Sequence, residues 1–544
     1  MQTPAKLTVK TAPKTEYAVG DTFDPTGMVL EATYADGGTE EIPADQVTFA
    51  PATALTKDIT SVKLTYCGVE VELPITVTGG LKGSGTADDP WLIETYQDFE
   101  TVRDLVSKGL SFDGEYLKMV NDITLPEGWT PIGVTKDGSN NIQSGANLLP
   151  FSGNLDCSGK TLTIPEGGLP LLGYVKGATV SNLNIYGRKI AGYGLVNNYS
   201  GVGVNVRAIT IDNVTLKSGS STLKSGLIGT YLTTNGFAGA SAGFVVDIRN
   251  CTVESGVVIG YNRDQEMIGS IAGRVQGTIT NCTTAGTLTG GNYAAGVAAK
   301  NSGTVENCVN KAAVTGNAQV AGIVAGNTKD RQSGKIGLVK GCANSGIIRA
   351  SGAMTAGVVA SNEMDTKVEN CANNGAIIST AAIKASYVGG VVGWNNGTTD
   401  GAYNAGNVEG LGGGIGGAVG RDVSKNATRL YNIGDVTGGD YEDEGYGADN
   451  EISTDNDLAN MSAALLAAKA LLADKAAIGG TLTIGGDVEA GKTAAAAYTG
   501  DATGLIYVWY YSYEENDDVV VAITDTAEFK IPDELSGRML KVKA

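Results

Sequence analysis

Short runs of alternating apolar and polar residues, broken by turn residues, open the chain. In residues 1–80 these runs include KLTVKTAP, GMVLEATY, SVKLTYCG and VEVELPITV. A period of two places the apolar side chains on one face of a half-buried strand. Several short strands at this spacing predict a β-sandwich over residues 1–80.

The pattern changes over residues 81–135. Positions 98–108 form a helical stretch with Phe99, Val102, Leu105 and Val106 on one face. The string GEYLKMVNDITLPEGWTPIG follows and returns to strand-like alternation. We expect this segment to cap the first coil of the structure that follows it, covering an otherwise open strand edge.

Residues 136–445 repeat, with spacings between 26 and 37 residues along one apolar column. Asparagine precedes most members of this column. We predict that the column faces inward, and its members are Leu183, Val214, Cys251, Cys282, Cys308, Cys342, Cys371, Ala402 and Leu430.

A second strand recurs in the central repeats as AAGVAA, VAGIVAG, TAGVVAS and VGGVVGW. No helical pattern separates the strands, which excludes ankyrin and tetratricopeptide repeats. The repeats therefore predict a parallel β-helix of about ten coils, one coil per repeat. The general rule for parallel crossovers predicts a right-handed path.

The chain becomes helical again after the repeats. Residues 446–479 are predicted to form a linker followed by a helix, over DLANMSAALLAAKALLADKAA. From residue 480 to 544 alternation returns and predicts further β-strands. Trp509 in an alternating strand and the Gly-Arg turn before the last strand resemble a second type of Ig-like module, which implies a second sandwich over these residues. The fold class is thus all-β: a β-helix flanked by two sandwiches, with short capping helices.

Three strings carry family resemblances. YAVGDTFDPTGMVLEATYADGG closely resembles the bacterial Ig-like modules found in tandem on Gram-positive surface proteins. GEYLKMVNDITLPEGWTPIG and FSGNLDCSGKTLTI resemble the entry region of surface β-helices with GLUG-type repeats, as in IgA-peptidase-type and adhesin-like chains. These resemblances imply a secreted protein at the bacterial cell surface. They also imply that the helix after the last coil caps the end of the β-helix or leads out of it.

Charge narrows the choice of partners. The chain has a formal net charge of −19. Such a field repels nucleic acid and anionic membranes, so neither is expected as a partner. No run of about 20 apolar residues occurs, so we expect no direct membrane insertion. The first residues lack the apolar core of a signal peptide. We therefore expect export and anchoring signals to lie outside this sequence.

The seven cysteines point to packing rather than chemistry. Five of them share a column with leucine, valine and alanine, which describes a small apolar slot. They are predicted to be buried, free thiols. The paired CxxC spacing of a zinc site does not occur in the sequence, and we expect neither a metal nor another cofactor.

Catalytic chemistry has little support in the sequence. Histidine is absent, which excludes Ser-His-Asp and Cys-His nucleophile systems. A carboxylate pair could still hydrolyse a glycoside, but the acids of the repeats are few and scattered. The acidic run at 440–457 lacks the spacing of a calcium loop and is interpreted as a linker. We expect no catalytic residues and no enzyme activity.

Aromatic residues and amides suggest a binding site instead. Large side chains recur three residues before the glycine of the second strand, at Met267, Tyr293, Gln319, Met354 and Tyr387. Polar residues recur just beyond that strand, at Asn301, Asn327, Asn362, Asn395 and Asn396, beside Trp394. Sugars pack an apolar face on a ring and need polar partners for their hydroxyls. The predicted binding residues are Tyr293, Tyr387, Trp394, Asn395 and Asn396. In the alternative interpretation, the large side chains only close the core at a bend.

Three functions remain open at this point. The first is a monomeric adhesin-like or display protein that binds host or environmental glycans or proteins. The second is the accessory module of a large surface hydrolase or IgA-peptidase-type enzyme, which a catalytic motif elsewhere in the gene would favour. The third is a phage or filament component, which predicts stable trimers or polymers.

Overall fold

The structure of this chain is a computed structural model. It describes residues 3–56, 59–78, 80–134, 149–196, 207–228, 244–260, 267–330, 334–438, 463–470, 472, 480–486, 492–500, 507–512, 518–524, 528–531 and 539–543. The chain divides into two compact units, Met1–Leu472 and Ala473–Ala544. Within the described ranges no helix has both the length and the hydropathy needed to cross a membrane.

The N-terminal domain is a small β-sandwich with its own apolar core. Antiparallel pairing joins the strands into two three-stranded sheets, and a short parallel pair adds a third. Leu30, Leu55 and Leu64 are completely buried in the core. The strands are Lys6–Thr11, Glu16–Ala18, Val29–Thr33, Thr39–Pro43, Thr48–Ala50, Ser61–Tyr66, Val69–Pro74 and Thr76–Thr78, with a 3-10 helix at Ala44–Gln46.

A stack of parallel strands follows and forms the β-helix. Each full coil passes through four sheets, and every strand pairs in parallel with its counterpart in the next coil. The first sheet has two arms separated by a bend. Its first-arm strands, some of which continue through the bend, are Trp91–Ile93, Tyr116–Met119, Asn154–Asp156, Ala178–Gly187, Arg207–Leu216, Phe244–Arg249, Thr278–Thr280, Thr304–Glu306, Leu338–Lys340, Lys367–Asn373, Thr398–Asn404 and Ala427–Asn432.

The remaining strands of each coil are shorter. The separate second-arm strands of the first sheet are Ile123–Thr124, Thr161–Ile164, Thr252–Val253, Thr283–Thr284, Val309–Asn310 and Ala343–Asn344. The second sheet consists of Ser221–Thr222, Val258–Ile259, Thr287–Thr289, Ala313–Gly316, Ile348–Ala350, Ile377–Ser379, Val408–Gly410 and Val436–Thr437. The third sheet consists of Ile268–Gly269, Ala294–Ala295, Val320–Ala321, Thr355–Ala356, Val388–Gly389 and Ile415–Gly416. The fourth sheet consists of Ala272–Val275, Ala298–Asn301, Val324–Asn327, Val359–Asn362, Val392–Asn395 and Val419–Asp422.

The asparagines before the apolar column form the bend of the first sheet. They adopt positive φ angles, for example 55° at Asn213 and 57° at Asn250. Asparagine tolerates this left-handed conformation better than other residues with a Cβ, and glycine takes its place at Gly341 and Gly401. The Asn213 amide also donates to Asn182 Oδ1 at 2.8 Å. The repeated asparagine is therefore explained by backbone geometry and by stacking between coils.

The inward column is buried from Leu183 to Ala402, with no member more than 1% exposed, while Leu430 in the last coil is half-buried. All seven cysteines are free thiols. Cys67, in the N-terminal domain, is exposed, whereas Cys157 and the five column cysteines are buried. The β-helix thus contains a continuous row of thiols at consecutive coils.

This burial predicts the outcome of thiol titration under native conditions. A thiol reagent should label Cys67 rapidly and the six buried thiols only after denaturation, because a reagent cannot reach a sulfur inside a closely packed core. Quantitative labelling with and without denaturant would measure the two classes. Rapid native labelling of Cys308, or a disulfide between two column cysteines, would contradict the prediction.

A row of buried asparagines runs beside the thiols. Asn310, Asn344, Asn373 and Asn404 each lie two residues after a column member and are completely buried. Each side-chain amide donates to the Oδ1 of the next asparagine at 2.7 Å, ending at Asn432. Each also donates to a backbone carbonyl of its own coil, as Asn373 does to Gly375 at 2.9 Å. We call this row the inner asparagine ladder.

The inner asparagine ladder explains the glycine of the repeated second strand. A Cβ added at Gly322, Gly357 or Gly390 would collide with the asparagine side chain facing it. The amides therefore occupy the space that a side chain at these glycines would need. Since five successive coils, from Gly296 to Gly417, repeat the arrangement, glycine and asparagine recur together along this part of the sequence.

The stack begins earlier than the boundary predicted at residue 136. Strands Trp91–Ile93 and Tyr116–Met119 already pair in parallel with the first sheet. Helix α1, Tyr96–Ser107, lies between them and buries Phe99, Val102 and Leu105 against the first coils. Its first turn is fixed by Asp98, whose carboxylate accepts the Thr95 backbone N–H at 2.8 Å. The segment 81–135 therefore supplies both the cap and the first coils.

The second helix packs on the flank of the last coils. Helix α2, Ala463–Ala470, lies within the region predicted as helical, and packs on the outer flank of the first sheet. Leu465 and Ala468 belong to a buried cluster with Ala343, Ala372, Tyr403 and Tyr431, which lie in the last four coils. A row of small side chains on this flank accommodates the helix.

The second compact unit contains only β-strands in its described residues. These strands form two antiparallel three-stranded sheets, which is the arrangement of a small sandwich. The assignment of this unit to an Ig-like class stays a prediction. The strands are Gly480–Gly486, Thr493–Gly500, Tyr507–Ser512, Asp518–Thr524, Glu528–Lys530 and Met539–Lys543.

Candidate functional site

A row of large side chains lies at the corner that precedes the third sheet. These residues are half-buried and all have positive φ angles, from 38° at Tyr387 to 65° at Met354. Bulky residues rarely adopt this conformation, which costs about 1–2 kcal/mol each. Gly414 takes the same position in the last coil, where φ is 72°. Glycine would relieve the strain, yet five consecutive coils have Met267, Tyr293, Gln319, Met354 and Tyr387 there.

A second row runs along the outer face of the fourth sheet beside this corner. Strand pairing places Arg274, Lys300, Gly326, Ser361, Trp394 and Arg421 at equivalent positions of successive coils. Arg274, Lys300, Trp394 and Arg421 are half-buried, whereas Gly326 and Ser361 are buried. We call the two rows together the fourth-sheet strip, which comprises Met267, Tyr293, Gln319, Met354, Tyr387, Arg274, Lys300, Gly326, Ser361, Trp394 and Arg421.

Each tyrosine of the fourth-sheet strip contacts a positively charged side chain. The Lys300 Nζ lies 4.0 Å from the centre of the Tyr293 ring. The Arg421 guanidinium lies 5.2 Å from the centre of the Tyr387 ring and donates to the Tyr387 hydroxyl at 3.1 Å. Both arrangements lie within the range of favourable cation–π contact. The tyrosines therefore fix the positions of two positive charges.

Small residues separate these two pairs. A Cβ added at Gly326 would lie 3.4 Å from Tyr293 Cε1, which shows that the ring leans over the next coil. Gly326 and Ser361 occupy the coils between Lys300 and Trp394. At about 4.8 Å per coil, Lys300 and Trp394 are roughly 14 Å apart along the strip. The two small residues between them are buried beneath neighbouring side chains.

The structure gives the two predicted amides different positions. Asn395 is completely buried, where its amide donates to Asp422 at 2.8 Å and its Oδ1 accepts from Asn362 at 2.7 Å. It belongs to a second internal row, which runs through Asn301, Asn327, Asn362, Asn395 and Asp422. A ligand outside the β-helix cannot reach it, so Asn395 leaves the set of binding candidates. Asn396 is half-buried next to the strip and stays in the set.

Arg274 is engaged differently from the other two cations. Its guanidinium lies 3.3 Å from the Asp330 carboxylate, which is nearly buried and also accepts a hydrogen bond from Gln276. Asp330 comes from the loop between the fourth and first sheets. The charge of Arg274 is therefore largely balanced within the protein.

A cleft near the N-terminus is a second concave site. Its volume is about 850 Å³, and it lies between the N-terminal domain and the first coils. Val19 lines one side, and Trp91, Phe112 and Tyr116 line the other. The Trp91 indole N–H donates to the Glu115 carboxylate at 2.5 Å. One carboxylate oxygen of Glu115 is therefore occupied by a hydrogen bond within the protein.

Within the described ranges, no group of three or more cysteine, aspartate or glutamate side chains is placed to hold a metal ion. The acidic run at 440–457 lies outside the described residues.

Comparison with known proteins identifies the first domain. Residues 10–77 match the bacterial Ig-like domain (group 3). The N-terminal domain is a bacterial Ig-like domain. This match, together with the parallel β-helix, is consistent with a surface or extracellular protein.

The other comparisons add little. No curated protein matches the chain. A crystal structure from Bacteroides ovatus, of a protein provisionally described as an immunoglobulin A1 protease, is similar over 65% of this chain and 86% of that one. The two are 14% identical, with a TM-score of 0.29. A similarity at that level supports no argument about the activity of this chain.

Proposed function

We propose that this chain is a non-catalytic adhesin-like protein of the bacterial surface, which binds host or environmental glycans through the fourth-sheet strip. The bacterial Ig-like domain serves as a spacer that presents the flank of the β-helix. Trp394 offers a ring for the apolar face of a sugar, while the half-buried Asn396 offers polar groups for its hydroxyls.

One observation carries this proposal: the strained corner of the strip retains large side chains where glycine would fit. Backbone strain persists in proteins where the surrounding structure enforces it, and it concentrates at functional sites. If the corner served only as a bend, glycine or asparagine would suffice, as at the bend of the first sheet. The large side chains instead include two tyrosines whose rings contact Lys300 and Arg421 of the strip.

A glycan array tests the binding role directly. The chain and its Trp394→Ala variant should be compared on mucin and polysaccharide arrays, with thermal unfolding measured in parallel. Because Trp394 is half-buried on the outer face, we expect its replacement to remove binding while changing the free energy of unfolding by less than about 2 kcal/mol. Retained binding by a folded variant, or a loss of stability as large as a core substitution causes, would contradict the role.

The absence of catalysis is a separate prediction. We expect no cleavage of pectin, mucin glycans or glycosaminoglycans by this chain, either by hydrolysis or by β-elimination. The chain has no histidine, and the positions of the fourth-sheet strip include no carboxylate. Reducing-end and ultraviolet assays over many hours would measure turnover. Activity that survives repurification and disappears when a single acid is replaced would show that the chain is an enzyme.

A further inference from the structure

The bacterial Ig-like domain meets the β-helix at two adjacent strand ends. Strands Glu16–Ala18 and Thr76–Thr78 pair in parallel, so their last residues lie side by side. The first strand leads into a turn that contacts helix α1. The second strand leads into the β-helix itself, because only two glycines separate it from Leu81, which is buried in the core of the first coils. We call these two connections together the N-terminal joint.

The turn of the N-terminal joint fits closely against helix α1. The Asp21 N–H donates to the Ala18 carbonyl at 3.0 Å and closes the turn, in which Gly20 has a φ of 89°. A Cβ added at Gly20 would lie 2.5 Å from Leu105 Cδ2 of the helix. Val19 packs against the apolar core of the β-helix. Glycine therefore permits both the left-handed backbone and the close approach of this turn to the helix.

The turn is also fixed within its own domain. The Gly20 N–H donates to the Leu55 carbonyl, and the Leu55 N–H donates to the Asp21 carbonyl, both at 2.8 Å. Leu55 is completely buried in the core of the Ig-like domain. A displacement of the turn would therefore displace the whole domain.

The two connections of the N-terminal joint also contact each other. A Cβ added at Gly80 would lie 3.0 Å from Val19 Cγ2, so the connecting segment passes directly beside the turn. An ion pair crosses the joint as well, with 3.5 Å between Lys108 Nζ and the Asp21 carboxylate. Both charged side chains are partly exposed, so this pair contributes little beside the apolar packing of Val19.

We infer that the N-terminal joint is a conformational device that holds the Ig-like domain in one fixed orientation on the first coils. Domains of one chain that share a small interface usually move relative to each other. Here the turn contacts helix α1 beside the covalent connection, and a second point of attachment prevents rotation about the first. The joint also fixes the width of the N-terminal cleft, because Val19 and Leu105 line it. This inference goes beyond the proposed function and does not depend on whether the fourth-sheet strip binds a glycan.

Double electron–electron resonance between two spin labels tests the joint on the full chain. One label is attached to the exposed Cys67 of the Ig-like domain, and the other to a cysteine introduced by Lys118→Cys, at an exposed position of the first coils. The distance distribution would be recorded for this chain and after the further changes Gly20→Leu and Val19→Ser. Gly27→Leu is the matched control, because Gly27 has a similar φ of 81° in the same domain and nothing within 4 Å of an added Cβ. Hydrogen exchange of the Ig-like strands would verify folding.

We expect one narrow distance for the labelled chain and for its Gly27→Leu variant. Gly20→Leu and Val19→Ser should each broaden the distribution about twofold or more, because the domain then pivots on the covalent connection alone. A broad distribution for the labelled chain without further changes would overturn the inference, and so would a narrow distribution that survives both changes at the turn. If Gly20→Leu prevents the Ig-like domain from folding, an unchanged distribution in Val19→Ser would suffice to overturn it.

Discussion

Replacing Asn373 with alanine should lower the free energy of unfolding of the β-helix by about 3–5 kcal/mol. The Asn373 amide donates to Asn404 Oδ1 and to the Gly375 carbonyl, and its oxygen accepts from the Asn344 amide and from the Gly375 N–H. Alanine would leave these groups inside the core with fewer partners. Each buried polar group without a partner costs about 1–3 kcal/mol.

Asn374→Ala is the matched control for this change. Asn374 is the next residue along the chain, is only half-buried and lies outside the inner asparagine ladder. Its replacement should change the free energy of unfolding by less than about 1 kcal/mol. Denaturant unfolding, followed by the far-ultraviolet signal of the β-helix, would measure both variants. Equal effects at the two positions would contradict a structural role for the ladder.

Stability should fall steeply above pH 8.5, because the buried thiols resist ionisation. Burial raises the pKa of Cys157, Cys308 and Cys342. The hydrogen bond that the Cys251 thiol donates to Cys282, together with burial, raises the pKa of Cys251. The bond between Cys282 and Cys251 acts to lower the pKa of Cys282, but its bond to Cys308 and burial outweigh that effect and raise it.

The sign of this effect follows from proton binding. Above pH 8.5 the unfolded chain releases thiol protons that the native state retains, so rising pH favours unfolding. For an unfolded pKa of about 8.5, each such thiol lowers the free energy of unfolding by about 1.4 kcal/mol between pH 7 and pH 9.5. Five thiols together would lower it by about 7 kcal/mol, a large share of a typical stability.

Unfolding in reducing buffer at a series of pH values would measure this loss. Cys308→Ala provides the control, since Ala402 already occupies the same column in another coil. The variant should lose about one fifth of the alkaline slope, whatever its stability at pH 7. A stability that stays constant between pH 8 and 9.5 would show that these thiols are accessible or ionised in the native state.

The repeat pattern was sufficient to predict the parallel β-helix, and strand alternation was sufficient to predict the N-terminal β-sandwich. Apolar residues such as Val214 and Cys308 recur in phase, because each coil must bury the same position against the next. The bends follow from the same pattern, since asparagine before the column marks a left-handed backbone. The β-helix is therefore encoded locally and repeatedly in the sequence.

The direction of side chains in the short strands could not be predicted. Residues on both sides of these strands are small or apolar, so alternation does not distinguish inside from outside. Asn395 therefore looked like a surface amide, although it is a buried member of an internal row. Asn327, Asn362 and Asn395 recur once per coil. This regular recurrence is the sequence signal that could have indicated a stacked internal row.

The side-chain contacts between coils also could not be predicted from the sequence. Lys300 and Arg421 were not among the predicted binding residues, because their partners Tyr293 and Tyr387 follow from the path of the coil and not from sequence spacing alone. The position of helix α2 depends on small residues such as Ala343 and Ala372, which lie far from it in the sequence. Its packing on the flank could not be derived from its own composition.

Hydroxyl-radical footprinting of the chain, with and without a glycan identified on the array, tests the central claim most directly. Oxidation of each aromatic residue would be quantified by mass spectrometry. We predict that the glycan protects Trp394, which is half-exposed on the strip, and leaves Trp91 and Tyr116 of the N-terminal cleft unchanged. Protection of Trp91 and Tyr116 with no change at Trp394 would place the ligand in the cleft and would contradict binding at the fourth-sheet strip.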